Sequence, residues 1–503
     1  MLLADVVATS TEVGATRSRK AKVAAFAELL GRVADAEAEE IETVTSYLAG
    51  SLRQRRTGLG WRSMQSLPAP ATEPSLTVLE VHEAFDRIAA LAGAGSQAAR
   101  AAATESLFAR ATADEQPWLR GIVTGEVRQG ALDSLVQEGL AAAGGIPLAA
   151  VRRAAMMAGS TVAVAAAALK GGEESLAAFV LEVGRPVQPM LASSATTVAA
   201  AMEKAGGGLV AIDTKLDGIR IQVHRRGDDV IVATRSLEEI TQRLPEVVEV
   251  ARALPASSFV LDGEVLALDD QGRPRPFQET ASRTAMSEGV HLTPYFFDLL
   301  HLDGDDLVDS PGTARLEALT GLVPPEHLVP RLVTADVEEA ESFVSQVLDL
   351  GHEGVVVKNL AAPYDAGRRG SAWVKVKPVH TLDLVVLAVE WGSGRRRGWL
   401  SNIHLGARDG DSFVMLGKTF KGMTDEMLAW QTERFQQLET SRDGHVVHVR
   451  PEQVVEIAFD GLQRSTRYPG GMALRFARVV RYRDDKSAAE ADTIETVRAL
   501  FAG

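Results

Sequence analysis

A single lysine, Lys215, stands where the residue types first suggest chemistry. It lies between two carboxylates, Asp213 and Asp217, and is followed by Gly218 and Arg220. A lysine amine is a nucleophile only when it is neutral, and its ordinary pKa is about 10.4. Desolvation and neighbouring positive charge must therefore activate it. The local pattern alone leaves open a second interpretation, a solvated lysine in a turn.

Further charged residues recur downstream at the ends of predicted strands. Asp262 and Glu264 flank a glycine, and Glu353 precedes another hydrophobic run. Such carboxylates are hard oxygen donors that suit a magnesium ion, although strand-end salt bridges would use the same residues. Lys375 and Lys377 alternate with valines, so we expect both to point to one face of a strand.

Three more sets of residues are candidates for contacts with a ligand. Arg235 ends a predicted strand, and Phe297 lies in an aromatic strand, where core packing is the alternative role. A basic segment near the C-terminus would otherwise form an exposed edge. Its candidate residues are Arg475, Arg478, Arg481 and Lys486.

The elements that must position these residues fall into three stretches. Residues 1 to about 185 show helical periodicity, and a proline-punctuated linker follows at 185–190. From about 190 to 378 strands alternate with helices, and from 379 the chain is rich in strands. The predicted helices are 20–30, 35–48, 96–110, 118–125, 132–143, 151–158 and 425–438. The predicted strands are 209–212, 219–224, 230–235, 259–268, 294–304, 351–358 and 373–377.

Length and composition limit the class of protein. A chain of 503 residues predicts about three domains. No apolar run reaches the roughly 20 residues of a membrane span, and the N-terminus lacks the pattern of a signal peptide, so we predict a cytoplasmic protein without membrane contact. The absence of cysteine excludes disulfides and cysteine-ligated zinc.

The net charge of -14 argues at first against a nucleic-acid partner. Arginines nevertheless cluster in four separate segments, which would suit a protein that surrounds a phosphate backbone. Solvated faces are the alternative. The clusters are Arg53, Arg55, Arg56 and Arg62; Arg368 and Arg369; Arg395 to Arg397; and Arg475, Arg478, Arg481 and Arg483.

The order of these motifs resembles that of the ATP-dependent DNA ligases, most closely the bacterial, actinobacterial-type ligase B. The shared motifs are Lys-x-Asp-Gly-x-Arg at 215–220, Asp-Gly-Glu at 262–264, Phe-Asp-Leu at 297–299, Glu-Gly-Val-Val-Val-Lys at 353–358, Trp-x-Lys-x-Lys at 373–377 and a basic motif at 475–486. Ala477 replaces the usual proline of the last motif, a change that affects turn stiffness more than chemistry. NAD-dependent ligases typically carry a four-cysteine zinc module, which this chain lacks.

The resemblance covers essentially the whole chain and implies a multidomain fold. An all-α DNA-binding domain would span 1–188, and an α+β nucleotidyltransferase core of the ATP-grasp-like adenylation type would span 189–378. A C-terminal β-barrel of the OB-fold type, with five strands, would span 379–503. The implied partner is nicked double-stranded DNA, gripped in the minor groove without sequence readout. We expect a monomer and find no motif for a protein partner.

The implied reaction has three steps. Lys215 attacks the α-phosphate of ATP and becomes adenylated, AMP passes to the 5′-phosphate of a nick, and the 3′-hydroxyl then displaces AMP. All three are in-line displacements at phosphorus, so positioning and charge neutralisation do most of the catalysis.

The resemblance also assigns roles to individual residues. Asp213 would accept from the adenine amino group, Phe297 would stack on adenine, and Arg220 and Arg235 would contact the sugar and phosphates. Glu264 and Glu353 would bind Mg²⁺ or Mn²⁺, Lys375 and Lys377 the α-phosphate, and Arg369 would lie near the nucleotide. Arg475, Arg478, Arg481 and Lys486 would support pyrophosphate release, in adenylation only. The barrel would swing about 377–383 between steps.

Three alternatives remain open at this stage. A capping-type guanylyltransferase shares the Lys-x-Asp-Gly core but would not be expected to carry a long helical N-terminal region. An RNA ligase would need contacts to A-form helices and 2′-hydroxyls that a sequence does not reveal. A DNA-binding scaffold with an inactive core is the third, against which Lys215, Glu264, Glu353, Lys375 and Lys377 are all present.

Overall fold

The structure is a computed structural model that describes residues 1–127, 129–130, 133–286, 290–366, 369–393 and 396–502. Arg368 and Arg395, which belong to two of the arginine clusters, lie outside the described residues, as does the first residue of the helix predicted at 132–143. The backbone of Arg369 is described, but its side chain is not.

The N-terminal stretch folds into helices around one apolar core. Periodic apolar residues such as Phe26, Phe85 and Phe108 are fully buried in it. Thr77 and Glu80 form a capping box at the start of one helix, and Gly125 ends another in the left-handed conformation. The helices are α1 (Leu3–Ala15), α2 (Arg19–Arg32), α3 (Ala38–Leu48), α4 (Val78–Ala90), α5 (Ser96–Ala109), α6 (Glu115–Thr124), α7 (Asp133–Gly144), α8 (Leu148–Ala158), α9 (Thr161–Ala166) and α10 (Gly172–Ala177).

The middle stretch contains two five-stranded sheets with helices packed against them. One sheet has the strand order β1-β10-β9-β2-β8 and the other β4-β3-β5-β6-β7. The strands are β1 (Leu191–Ala195), β2 (Val210–Thr214), β3 (Ile219–Arg226), β4 (Asp229–Thr234), β5 (Ser258–Ala267), β6 (Leu292–Leu302), β7 (Asp305–Asp306), β8 (Arg331–Thr334), β9 (Val355–Asn359) and β10 (Arg369–Val376). The helices are α11 (Val198–Lys204), α12 (Pro245–Ala253), α13 (Phe277–Met286), α14 (Gly312–Leu322) and α15 (Val337–Asp349).

The chain passes from one sheet to the other in the break between β2 and β3, which contains Lys215. Alternation along β10 places Val374 and Val376 in the apolar core of the first sheet. Trp373 and Lys375 consequently face the opposite side, where the two sheets approach each other. The β2–β3 break and β10 therefore border the same space.

The C-terminal stretch is rich in strands. They are β11 (His380–Trp391), β12 (Leu400–Asp409), β13 (Ser412–Thr419), β14 (Glu439–Asp443), β15 (Val446–Val449), β16 (Val454–Phe459), β17 (Gly461–Arg464), β18 (Met472–Arg475) and β19 (Arg478–Tyr482). The helices are α16 (Asp425–Gln437) and α17 (Ile494–Ala502).

The sequence predicted a five-stranded barrel in this stretch. The structure instead has a seven-stranded sheet and a separate β17–β18 pair. The reason is the 12-residue length of β11. One of its edges pairs with β15 near Val389 and with β16 near Leu382, while β12 occupies the other edge. The result is an OB-like β-rich region with extra strands.

The helices and strands predicted from periodicity all occur, with ends that differ by a few residues. The predicted hinge at 377–383 is only partly free of strands, because His380 to Asp383 belong to β11 and pair with β16. Among the described residues, no helix combines the length and apolar character needed to cross a bilayer.

Candidate active site

A cleft of about 940 Å³ lies between the two sheets of the middle stretch. This volume suits a nucleotide-sized ligand. The cleft is bordered by the end of β2, the β2–β3 break, and residues of β3, β5, β6 and β10. The structure brings these predicted site residues together around it: Asp213, Lys215, Arg220, Arg235, Glu264, Phe297, Glu353, Lys375 and Lys377.

Lys215 is held in the cleft by both its backbone and its amine. Its backbone N–H donates to the carbonyl of Gly354 at 2.8 Å, and its carbonyl accepts from the N–H of Glu353 at 3.1 Å. Its Nζ forms an ion pair with the Glu353 carboxylate, which also accepts from Lys377 Nζ at 2.7 Å. Two amines thus meet on one carboxylate, and Lys215 Nζ must leave Glu353 and be neutral before it can attack an electrophile.

The surroundings in the cleft shift the pKa values of Glu264 and Glu353 in opposite directions. Burial raises the pKa of Glu264 to about 7 despite the nearby Lys215 and Arg220, and the charge of Glu353 adds to this rise. Burial would also raise the pKa of Glu353, but its ion pairs with Lys215 and Lys377 outweigh burial and lower it.

A divalent cation fits this pair of carboxylates. The mutual repulsion that contributes to the raised pKa of Glu264 would be relieved by a cation between Glu264 and Glu353. Within the described ranges, no group of three or more histidine or acidic side chains is arranged to hold a metal. The two carboxylates are hard oxygen donors of the kind that divalent cations take in proteins.

Asp213 lies at the floor of the cleft and is almost completely buried. Arg331 binds its carboxylate through two nitrogens, one contact measuring 2.7 Å, and Lys358 Nζ lies 2.7 Å away. Burial would raise the pKa of Asp213, but Arg331 and then Lys358 outweigh burial and lower it. Above this group the rings of Phe297 and Trp373 meet edge to face at 5.9 Å.

Arg220 was expected to bind sugar and phosphate, but in the structure its guanidinium binds several protein groups. Its guanidinium binds Asp262 at 3.0 and 2.6 Å and donates to the carbonyl of Met190 at 2.6 Å. Tyr364 supports the pair by donating to Asp262 at 2.8 Å. The face of the guanidinium lies 5.5 Å from the Phe297 ring centre, so Arg220 helps to build the aromatic wall.

The other predicted cations differ in their placement. Lys375 and Lys377 both line the cleft, as the alternation along β10 predicts. Arg235 is exposed at the cleft and pairs with no carboxylate among the residues that the structure describes. Arg369 begins β10, and its side chain lies outside the described residues.

The C-terminal basic motif is divided between the cleft and the sheet that carries it. Arg475 Nη1 pairs with Asp217 of the β2–β3 break at 2.8 Å, and Arg478 Nη1 lies 3.4 Å from Asp460, which lines the cleft. Arg481 instead pairs with Glu456 at 2.8 Å, and Lys486 pairs with Asp383 at 2.6 Å. The structure therefore does not bring Arg481 and Lys486 to the cleft.

Comparison with known proteins matches three consecutive parts of the chain to one family. The matching descriptions are ATP dependent DNA ligase domain over 189–377, ATP dependent DNA ligase C terminal region over 396–486 and DNA ligase N terminus over 61–141. A probable DNA ligase of a Nocardioides species is 74% identical over 505 residues, covering 100% of this chain and 99% of that relative. The chain belongs to the ATP-dependent DNA ligases.

Other relatives of this ligase cover it equally well. A probable DNA ligase of Kineococcus radiotolerans is 68% identical, covering 99% of the chain and 100% of the relative. One from a Mycobacterium species is 57% identical, covering 100% and 99%. The solved structure Pmar-Lig_PreS3 shares the fold at a TM-score of 0.62 and 18% identity, covering 95% of this ligase and 99% of that chain. The ligase is thus an ATP-dependent enzyme that forms phosphodiester bonds in DNA.

Sequence reasoning missed several residues of the ligase cleft. Lys358 ends one of the recognised motifs and Trp373 begins another, but no local pattern marked either one as part of the cleft. Arg331 lies behind the cleft, where it binds Asp213; it belongs to no motif, and its only signal is its position at the start of a strand that pairs with β2. Phe476, which is exposed at the cleft, sits inside the C-terminal motif and was passed over between its arginines.

Proposed function

We propose that this ligase seals nicks in double-stranded DNA through a covalent Lys215–AMP intermediate. The observation that carries the proposal is the convergence of Lys215 Nζ and Lys377 Nζ on Glu353 inside a nucleotide-sized cleft. A nucleophilic amine, a second cation for phosphate and a carboxylate that can hold a metal are the parts that phosphoryl transfer from ATP needs.

In the first step, Lys215 Nζ gives up a proton and forms a bond to the α-phosphorus of ATP. The bond from that phosphorus to the bridging oxygen breaks, and pyrophosphate leaves with the electron pair. The ion pairs of Glu353 lower its pKa, so Nζ leaves this carboxylate and gives the proton to solvent. Lys375 and Lys377 neutralise charge on the α-phosphate as it develops.

Glu264 and Glu353 would hold the divalent ion. Such an ion supplies charge neutralisation and orientation of the phosphate oxygens. On the other side of the cleft, Phe297 offers its ring face to adenine and Asp213 offers an acceptor to the amino group of the base. Arg235, exposed at the cleft, is placed to meet the 5′-phosphate of a nick.

The helical stretch would hold the DNA. Arg55, Arg56 and Arg62 are exposed on the segment after α3, and Trp61 is exposed under the guanidinium of Arg120 at 4.9 Å. Exposed arginines suit a phosphate backbone and an enzyme that acts on any nick.

We also propose a division into three domains. Residues 1–188 would bind DNA, 189–378 would carry out adenylation and 379–503 would form the OB-fold domain. We also propose that the ligase acts in the cytoplasm and that it acts as a monomer.

The contacts of Arg475 and Arg478 favour an arrangement that serves adenylation. They place the β17–β18 pair and Asp460 over the mouth of the cleft, where pyrophosphate would leave. In the later steps this position must be free for the nick. We propose that the C-terminal domain swings about 377–379, the part of the predicted hinge that lies outside strands.

The test is covalent capture of AMP. Purified ligase is incubated with ATP labelled at the α-phosphate, and protein-bound label that is stable to alkali and labile to acid identifies a lysine phosphoramidate. Lys215→Ala should abolish capture while leaving binding of nicked DNA largely intact. Lys204→Ala, which changes an exposed lysine of α11, should capture AMP normally.

Other outcomes would contradict the proposal in recognisable ways. Label from GTP alone would indicate a capping-type guanylyltransferase, and absence of any label would indicate a binding scaffold. Sealing of nicked RNA but not of nicked DNA would indicate an RNA ligase. Capture of AMP by Lys215→Ala would show that another residue is the nucleophile.

A further inference from the structure

Arg331 is the strongest feature near the cleft that the proposed reaction does not use. It begins β8, an edge strand, directly opposite Asp213 of β2 in the antiparallel ladder. Its guanidinium binds both oxygens of that carboxylate and also donates to the carbonyl of Phe297 at 3.0 Å. Arg331 does not itself line the cleft; it lies behind Asp213.

The number of contacts determines what Asp213 still offers to a ligand. An ionised carboxylate has about four lone-pair positions. Arg331 takes two of them and Lys358 takes one, since Lys358 Nζ also lies within bonding distance of the carboxylate and of the Phe297 carbonyl. About one acceptor position therefore remains on the side that faces the cleft.

Asp213 must also stay ionised for that position to accept a proton donor. Its nearly complete burial would favour the neutral acid, which can donate as well as accept. The two oxygens are held against this tendency by the bidentate Arg331 and by Lys358, which lower the pKa. Loss of Arg331 would remove both the larger cationic partner and the fixed orientation of the carboxylate.

We propose that Arg331 is a positioning residue that makes this ligase select adenine over 6-oxopurines, by holding Asp213 as an oriented, acceptor-only group. Adenine presents an amino group at C6, which can donate to Asp213. Guanine and hypoxanthine present a carbonyl oxygen there, which an ionised carboxylate repels. The inference deepens the proposed function, since it rests on a nucleotide being bound in this cleft for transfer to Lys215.

The aromatic residues support this placement of the base. Lys358 Nζ lies over the Phe297 ring, 4.5 Å from its centre, and over the Trp373 ring at 4.2 Å, so a cation that binds Asp213 also contacts the aromatic wall. Because Arg331 and Lys358 both bind the Phe297 carbonyl, the same cations hold the stacking surface and the acceptor. These contacts fix the position of the Asp213 carboxylate relative to the Phe297 ring on which the base would stack.

The experiment measures the rate of label capture with three nucleotides that differ in the groups on the C6 edge of the base. They are ATP, the triphosphate of purine riboside, which carries hydrogen at C6, and ITP, which carries a carbonyl oxygen at C6 and also a proton on N1. We expect the unchanged ligase to prefer ATP over the purine riboside analogue by about 10- to 100-fold, the effect of a hydrogen bond to a charged group. Arg331→Met should reduce this preference to a few-fold.

A second readout comes from ITP. Without Arg331, Asp213 can become protonated and donate to the carbonyl oxygen, so the ratio of ITP to ATP capture should rise in Arg331→Met. Arg331→Lys, which keeps the charge but not the two-nitrogen contact, should show intermediate preferences. A purely structural role for Arg331 would lower capture of all three nucleotides by the same factor.

Arg315→Met is the matched control. Arg315 is buried in the same stretch and binds both oxygens of Asp298, with contacts of 2.8 and 3.3 Å, but it does not touch Asp213. Its loss should lower the melting temperature without altering the order of preference among the three nucleotides. If Arg331→Met does not fold, the preferences of Arg331→Lys decide the question.

The outcomes separate this inference from the proposed function. Normal AMP capture with unchanged preferences in both Arg331 variants would overturn the role of Arg331 alone. A change of preference in Arg315→Met equal to that in Arg331→Met would also overturn it, because general disturbance of the cleft would then explain both. Failure of the unchanged ligase to capture label from any nucleotide would overturn the proposed function together with this inference.

Discussion

At the scale of single residues, the cleft of the ligase contains carboxylates that are each held by more than one cation. Glu353 accepts from Lys215 and Lys377, and Asp213 is bound by Arg331 and Lys358. A buried carboxylate is costly unless it is paired, and removing one partner leaves the other charges uncompensated. Each of these groups is thus both a structural contact and a part of the site.

We expect Glu353→Gln to lower the rate of AMP capture by at least about 100-fold, the size of effect seen when one electrostatic group of a site is removed. The amide keeps the shape but lacks the charge that pairs with Lys377 and that a metal would need. Single-turnover capture with labelled ATP measures the change. If metal binding is the main role of Glu353, raising the Mg²⁺ concentration should restore part of the rate.

Glu456→Gln is the control for this substitution. Glu456 has a similarly small exposed fraction, 20% of its side chain against 15% for Glu353, and pairs with Arg481 on the C-terminal sheet. Its loss should leave capture within a few-fold of the unchanged ligase. An equal loss in both variants would show that general destabilisation, and not the cleft, accounts for the result.

At the scale of secondary-structure elements, the β2–β3 break requires a glycine. A Cβ on Gly218 would lie 2.4 Å from the carbonyl oxygen of Val265 on β5. The Gly218 N–H also donates to Glu264 at 3.1 Å. The close approach therefore joins the segment that carries Lys215 to the strand that carries Glu264, and only a residue without a side chain permits it.

Gly218→Ala should consequently lower both stability and AMP capture. The clash is with backbone, which cannot rotate away, so we expect a loss of about 2 kcal/mol or more and a melting temperature lower by about 5 °C. Gly321→Ala serves as the control, because Gly321 lies in α14 with open space around its Cβ position. That variant should be neutral or more stable by up to about 1 kcal/mol. Similar melting curves for both variants would contradict the steric argument.

At the scale of the whole molecule, the adenylation cleft is completed by residues from the C-terminal stretch. Arg475 reaches Asp217 across more than half the length of the chain, and its guanidinium lies 5.5 Å from the ring centre of Phe277. Lys377 Nζ is 3.7 Å from Asp460. These contacts join the C-terminal sheet to the mouth of the cleft, next to Lys215.

We expect Arg475→Ala and Arg478→Ala each to lower AMP capture by about 10-fold or more while sealing of a pre-adenylated nick is retained. In the proposed reaction pyrophosphate leaves at the mouth of the cleft, near both arginines, and that leaving group is absent once AMP is on the DNA. Arg481→Ala is the internal control, since its partner Glu456 holds it away from the cleft. Equal loss of capture and sealing in the first two variants would argue for a general structural role.

Much of the architecture followed from local sequence. Helical periodicity identified the N-terminal helices, and alternation along β10 placed Lys375 and Lys377 on one face, because these patterns depend only on residues close in sequence. The order of short motifs identified the family and most residues of the cleft. The C-terminal sheet was underestimated because strand pairing in tandem along β11 is a long-range property.

The sequence by itself therefore determined the three stretches, the family and the candidate nucleophile Lys215. Only the tertiary structure decided which charges pair. Glu353 is 138 positions from Lys215, and Arg331 is 118 positions from Asp213, so neither pairing is visible in a local pattern. The same is true of the C-terminal motif, where Arg475 reaches the cleft and Arg481 does not. Partner choice among charged side chains depends on strand register and burial, and both arise only when distant segments pack together.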